Sequence, residues 1–206
     1  SCVRYLLSKD LKIAVTDSRM DPPGLSILKT ECTSVPVFLG EINAEILLSS
    51  DQIILSPGVS LNNEAVKQAI ANGTPVFGDI EIFCQQAKAP IIAISGSNGK
   101  STVTTLITEM TRQAGLKTSV GGNLGTPALD LLNEDIPDIY VLELSSFQLE
   151  TTFSLNAHAS VVLNISSDHM DRHTNLYEYI NVKKKIYSGN GLMVINKDDD
   201  AVKAMD

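Results

Sequence analysis

"PIIAISGSNGKSTVTTLITEM", residues 90 to 110, is the most informative stretch of the chain. An apolar, isoleucine-rich run stops at two glycines, a lysine and two hydroxyl residues, and a helical apolar pattern follows, so the stretch reads as strand, tight loop, helix. Such a junction aims several backbone N–H groups and the positive end of a helix dipole at one spot, which favours an anion. The common phosphate loop is G-x-x-x-x-G-K-[ST]. Here Gly96, Gly99, Lys100 and Ser101 give a shorter G-x-x-G-K-S, with Ile94 where the distant first glycine would stand. The expected division of labour gives Lys100 the phosphates as a point charge and places Ser101 or Thr102 near Mg²⁺. The amides of residues 97 to 101, among them Ser97, Asn98 and Gly99, cradle phosphate oxygens.

Outward from this loop, strands alternate with helices along the whole chain. Before it lie an opening helical stretch, strands at 11–17 and 51–58, a helix at 62–73 with an Asn start and a Gly stop, a strand at 74–78 and a connecting helix at 79–89. After it, strands are expected at 117–121, 139–146, 159–165 and 191–196, with helices near 99–114, 126–133 and 175–188. The strands are continuous apolar runs rather than alternating ones, the pattern of a parallel sheet buried on both faces. A boundary between two α/β layers falls near residues 75–89, without a Gly/Ser linker to mark it. The run "KDDD" at 197–200 reads as a solvated turn and helix cap.

Composition excludes several classes of function. A net charge of −8 over 206 residues argues against wholesale nucleic-acid or anionic-membrane binding, so a phosphate ligand needs a local site such as the Lys100 loop. Cys2, Cys32 and Cys84 are odd in number and irregularly spaced, which fits reduced thiols in a cytoplasmic protein. No segment approaches the roughly 20 apolar residues of a membrane span.

Two further stretches narrow the chemistry. "YVLELSSFQLE" carries Glu143 to the carboxyl end of a strand, where open α/β sheets present ligands, although a helix-capping role would also explain it. "VVLNISSDHMDRH" puts Asn164, Asp168, His169 and Asp171 just past another strand end, where His169 and His173 are either ligands or surface residues. A carboxylate and an imidazole beside a triphosphate fit divalent-metal ligation. Mg²⁺ prefers all-oxygen ligands, and Mn²⁺ would accept the histidine as well.

Taken together, "GSNGKSTVTTL", "GGNLGTPAL", "YVLELSSFQLET", "LNISSDHMDRH" and "SPGVS" resemble the Mur ligase family over nearly the whole chain, and within it the members that add D-glutamate. The resemblance implies a truncated Rossmann-like N-terminal domain at 1–78 that binds the uridine diphosphate precursor. A P-loop-type, mostly parallel α/β central domain that binds ATP would occupy 79–206. The implied reaction joins D-glutamate to UDP-N-acetylmuramoyl-L-alanine through an acyl phosphate in bacterial cell-wall synthesis, by a monomer with no nucleic-acid or membrane partner.

By the same resemblance Lys100 contacts the phosphates, Ser101 and Glu143 hold one Mg²⁺, and His169 belongs to a second metal site. Asn123, Ser145 and Gln148 orient precursor and phosphates. Lys183 is the lysine carbamylated by CO₂, chosen over its neighbours Lys184 and Lys185 by the positions of Tyr179 and Tyr187; a lysine run is otherwise a solvated helix face. Asp17, Ser18 and Arg19 would form part of the uridine diphosphate pocket, with Ser56, Pro57 and Gly58 on the same edge. The family pattern also leads one to expect a first strand and glycine-rich turn before Ser1 and a D-glutamate-side domain after residue 206, so that these residues alone are expected not to ligate. Three alternatives stay open: another ligase of the superfamily, such as a folylpolyglutamate synthase; a P-loop kinase or GTPase, whose Asn-Lys-x-Asp signature "NKDD" at 196–199 happens to match; and a nucleotide-binding remnant without turnover.

Overall fold

The computed structural model describes residues 1–133, 135–166, 172 and 175–205. It divides into two compact units, Ser1–Phe77 and Gly78–Asp206.

In the first unit the order is α1 (Cys2–Leu7), β1 (Val15–Asp17), α2 (Leu25–Glu31), β2 (Val37–Leu39), α3 (Ala44–Leu48), β3 (Ile53–Ile54), α4 (Glu64–Ala71) and β4 (Val76–Phe77). β1 pairs with β2 and β3 with β4, both in parallel. The expected strands at 11–17 and 51–58 are thus shorter than their apolar runs, because ladder partners exist only for Val15 to Asp17 and for Ile53 and Ile54. α3 and α4 start on Asn43 and Asn63, whose side chains accept amides of the first turn. Leu47, Ile53, Leu55, Val66 and Ala69 close a small core between α3, α4 and β3.

The second unit runs α5 (Asp79–Gln86), β5 (Ile91–Ser95), α6 (Lys100–Gln113), β6 (Thr118–Gly122), a 3₁₀ segment (Ala128–Asn133), β7 (Ile139–Glu143), α7 (Ser146–Glu150), β8 (Ala159–Val162), α8 (Leu176–Lys184), a 3₁₀ turn (Lys185–Tyr187), β9 (Leu192–Ile195) and α9 (Asp200–Lys203). Five parallel strands form one sheet in the order β6-β7-β5-β8-β9. The helix expected at 126–133 is the tighter 3₁₀ form over Ala128–Asn133, and the one expected at 175–188 is α-helical only to Lys184. β5 and β7 are apolar on both faces, with Ala93, Ile94, Val141 and Leu142 fully buried, and Phe83 of α5 meets Tyr140 edge-on at 5.0 Å between centroids. Because all five strands run the same way, every loop at their carboxyl ends lies on one edge of the sheet. β7, β5 and β8 are neighbours there, which brings three segments distant in sequence to one place.

Candidate functional site

The loop after β5 is built around two glycines with positive φ, Gly96 at 148° and Gly99 at 80°. A Cβ on Gly96 would lie 3.1 Å from Leu163 Cβ and 3.2 Å from Leu163 N, so the bare glycine lets the loop pack against the chain leaving β8. Gly99 caps α6, whose first-turn amides have no partner within the helix. The Lys100 ammonium curls back and donates to Gly96 O and Ser97 O, both at 3.0 Å. The loop, the helix start and the lysine all belong to one compact strand–loop–helix.

Glu143 ends β7 and is 2% exposed. Its Oε2 accepts the Ser101 hydroxyl at 2.8 Å and its Oε1 accepts Asn123 Nδ2 at 2.7 Å, while the Asn123 amide donates to Glu143 O at 2.8 Å. One carboxylate is therefore fixed in orientation by a hydroxyl from α6 and an amide from the loop after β6. Gly122 at the end of β6 has φ 100°, and a Cβ there would collide with Glu143 O, so the close approach of β6 to Glu143 requires glycine.

The Ser101 hydroxyl and the Glu143 carboxylate are hard oxygen donors in contact. Among the described residues no group of three or more His, Cys, Asp or Glu side chains could hold a metal. The described contribution is thus one carboxylate and one hydroxyl. That small set suits Mg²⁺, which takes its remaining ligands from phosphates and water. His169 lies outside the described residues, as do Asp168, Asp171 and His173.

Lys183 is 1% exposed on the inner face of α8, whereas Lys184 is exposed and Lys185 half-buried. Its Nζ donates to Gly96 O at 3.0 Å and to Ser95 Oγ at 3.3 Å, and lies 4.7 Å from the centre of the Tyr179 ring. The Lys100 and Lys183 ammonium groups thus share the Gly96 carbonyl. One turn away, the Tyr179 hydroxyl pairs with Ser97 Oγ at 3.0 Å. Lys185 turns the other way, donating to Glu150 O at 2.7 Å and stacking over Phe153, and burial pushes its ammonium below the usual lysine value.

Ser145 and Gln148 form a reciprocal capping box at the start of α7: the Gln148 amide donates to Ser145 Oγ at 3.2 Å and the Ser145 amide to Gln148 Oε1 at 3.1 Å. In the first unit, Asp17 ends β1 and grips Arg19 in a fork, with Nε to Oδ1 at 2.9 Å and Nη2 to Oδ2 at 2.7 Å. That hydrogen bonding, joined by the guanidinium charge, holds the Asp17 carboxyl below the usual aspartate value. Ser18 lies between the two, and Ser56, Pro57 and Gly58 form the turn after β3, closed by Val59 N to Ser56 O at 2.9 Å.

Several partners of the phosphate loop were not singled out in sequence. Asn164, noted only as lying past a strand end, exchanges two hydrogen bonds with the Asn98 backbone: Asn98 N to its Oδ1 at 2.8 Å, and its Nδ2 to Asn98 O at 3.0 Å. Ser166 N donates to Ser97 Oγ at 2.9 Å. The "NKDD" pattern is committed to backbone groups, Asn196 Nδ2 donating to Leu163 O at 2.7 Å and Asp199 Oδ2 accepting Ile165 N at 2.8 Å. Neither side chain is open to read a guanine base, so that alternative loses its one feature. Among the described residues no helix is long and apolar enough to cross a membrane.

A parallel sheet with a glycine-built loop and lysine at its central strand, flanked by an oriented carboxylate, defines an α/β unit of the phosphate-loop type. Residues 94–206 match the family described as the Mur ligase middle domain, and residues 1–78 match the Mur ligase MurD-like N-terminal domain. The chain belongs to the Mur ligase family. It is similar to the UDP-N-acetylmuramoylalanine–D-glutamate ligase of Nitrosococcus oceani, 52% identical over 205 residues that cover 100% of this chain and 45% of that protein. The ligase of the same name from Haemophilus influenzae is 50% identical over 199 residues, 97% of this chain and 45% of that one. The chain therefore spans a little under half the length of these curated relatives.

Among solved structures, the UDP-N-acetylmuramate:L-alanyl-gamma-D-glutamyl-meso-diaminopimelate ligase from Neisseria meningitides matches with a TM-score of 0.61 at 16% identity, covering 97% of this chain and 68% of that one. The UDP-N-acetylmuramate-alanine ligase of Thermotoga maritima matches with a TM-score of 0.56 at 18% identity, covering 99% and 47%. At these identities the likeness establishes the fold.

Proposed function

We propose that these residues form the precursor-binding and ATP-phosphate side of a ligase that joins D-glutamate to UDP-N-acetylmuramoyl-L-alanine. The observation that carries this reading is the identity of 50 to 52% with D-glutamate ligases along essentially the whole chain. The convergence of Lys100, Ser101 and Glu143 at adjacent strand ends supports it.

A carboxylate is a poor electrophile. A precursor carboxylate oxygen attacks the γ-phosphorus of ATP, the bond to the bridging oxygen breaks, and ADP leaves with that electron pair. The amine of D-glutamate then attacks the acyl carbon, a proton is lost from nitrogen, and inorganic phosphate leaves to give the amide. The protein's task in both steps is positioning and charge neutralisation.

Lys100 would leave its loop carbonyls for the phosphates, joined by the amides of residues 99–101; the expected contribution of the Ser97 and Asn98 amides is corrected, because both already donate to Asn164. Ser101 and Glu143 would hold Mg²⁺, or Mn²⁺ with the same donors, and His169 would serve a second metal. The metal would supply charge neutralisation at the transferring phosphoryl group. Asn123 acts by holding Glu143, while Ser145 and Gln148 set the start of α7 beside it. Lys183 is the carbamylation candidate: its neutral amine would attack the carbon of CO₂, form an N–C bond and release a proton. Burial of Lys183 and exposure of Lys184 support that choice. Asp17, Ser18 and Arg19, with the turn at Ser56, Pro57 and Gly58, would meet the uridine diphosphate. With ATP and a nucleotide precursor as its substrates, the proposed reaction would be a cytoplasmic one.

The test is phosphate release from ATP by the complete gene product. Release that requires both the muramoyl-alanine precursor and D-glutamate is expected, and release indifferent to either would reject the assignment.

A further inference from the structure

The β8–β9 ladder ends at Val162 and Ile195. Residues 163–166 follow it outside any ladder, and their polar groups turn both ways. Toward the phosphate loop, Asn164 O accepts Ser97 N at 2.9 Å, Asn164 Oδ1 accepts Asn98 N at 2.8 Å, and Ser166 N reaches Ser97 Oγ at 2.9 Å. Toward β9, Leu163 O accepts Asn196 Nδ2 at 2.7 Å and Ile165 N donates to Asp199 Oδ2 at 2.8 Å. Two side chains have taken over where backbone pairing with β9 stops.

Each of the two is also held in its own turn. Asn196 Oδ1 accepts Asp198 N at 3.0 Å and Asp199 Oδ1 accepts Val202 N at 3.0 Å, capping α9. The anchor is therefore rigid on its outer side, and the phosphate loop rests on its inner side.

We propose that Asn196 and Asp199 are positioning residues for the nucleotide site: by fixing Leu163 O and Ile165 N they keep residues 163–166 pressed on Ser97 and Asn98, and so set the geometry of the phosphate loop without touching the nucleotide. This rests on the nucleotide reading given above.

The experiment measures the affinity of a non-hydrolysable ATP analogue with Mg²⁺, together with the melting midpoint, for Asn196→Ala, Asp199→Ser, Lys203→Ala and Lys100→Ala in the complete gene product. Serine preserves the α9 cap but cannot also hold Ile165. Both tether variants are expected to bind the analogue about threefold to tenfold more weakly, the scale of one net hydrogen bond, at temperatures where they are fully folded. Lys203→Ala, which removes only an exposed pair with Asp200, is expected to bind as wild type. If Asp199→Ser fails to fold, Asp199→Asn, an equally good cap that presents an N–H to Ile165, takes its place.

Wild-type affinity in both tether variants alongside weakened binding by Lys100→Ala would overturn the tether and leave the nucleotide site standing. So would a lower melting midpoint with unchanged affinity of the folded protein. Wild-type affinity in Lys100→Ala would remove the nucleotide reading and the tether with it.

Discussion

Replacing Glu81 by alanine should destabilise the second unit although Glu81 touches none of the candidate ligands. Glu81 sits on α5 at 2% exposure, and its Oε2 accepts the amides of Phe153 at 2.7 Å and Ser154 at 2.8 Å, while Oε1 accepts Gln85 Nε2 at 2.8 Å. It ties the chain leaving α7 to α5. A hydrogen bond to a charged group contributes about 1.5 to 3 kcal/mol net, which sets an upper limit near 6 kcal/mol for the two amides. Two effects reduce that: Phe153 and Ser154 are exposed, so water can reach the freed amides, and alanine removes the cost of burying the carboxylate. The expected loss is about 2 to 3 kcal/mol, a fall of roughly 8 to 12 °C in melting midpoint for a unit of this size. Glu81→Gln, keeping one acceptor, should lose less than half of that.

The pH dependence carries a sign. Burial pushes the Glu81 carboxyl up, but the Phe153 and Ser154 amides with Gln85 outweigh it and leave it below the ordinary glutamate value of 4.5. A depressed folded value means that the contribution is fully present above the unfolded pKa and is lost as pH falls through the folded one. The gap in midpoint between wild type and Glu81→Ala should therefore be constant around neutrality and close only below about pH 4.5. Scanning calorimetry across that range is the assay. A midpoint for Glu81→Ala within about 1 °C of wild type at neutral pH, or a gap that widens in acid, would show that Glu81 does not tie Phe153 and Ser154 to α5.

Lys183→Ala should lower ligation by about a hundredfold or more, with partial recovery on adding short carboxylic acids, while the exposed Lys184→Ala stays near wild type; steady-state rates decide, and a sensitive Lys184 would show that the wrong lysine was chosen. Gly96→Ala should weaken ATP-analogue binding by about tenfold or more, because a φ of 148° strains any side chain and the methyl group would crowd Leu163, and titration of the folded variant checks it.

The parts of the fold legible in sequence are those encoded in contiguous residues. Residues 90–113 carry strand, loop and helix in one stretch, and Glu143 and Asn164 follow apolar runs long enough to be read as strands. The short elements of the first unit were harder: Val37–Leu39 is a three-residue strand without a distinguishing pattern, and its role comes from pairing with Val15–Asp17. The 3₁₀ form at Ala128–Asn133 is likewise a matter of local hydrogen bonding that the apolar pattern does not encode.

What stayed hidden, in the site and around it, were second partners. Glu81 looks like an ordinary helix acid until Phe153 and Ser154 arrive 72 and 73 residues later. Asp199 reads correctly as a cap, but its other oxygen serves Ile165, a contact that depends on sheet order. The choice of Lys183 among three lysines rested on family likeness in the sequence; burial now provides an independent physical reason to separate it from Lys184.

In the proposed reaction ATP activates the precursor's own carboxylate. Isotopically heavy oxygen placed in the carboxylate of the L-alanyl end of the precursor reports on that step. With the complete gene product, ATP and D-glutamate, each inorganic phosphate released is expected to carry one labelled oxygen, and the other to remain in the new amide. Ligated product formed alongside unlabelled phosphate would contradict it, because no acyl phosphate would then have lain on the path.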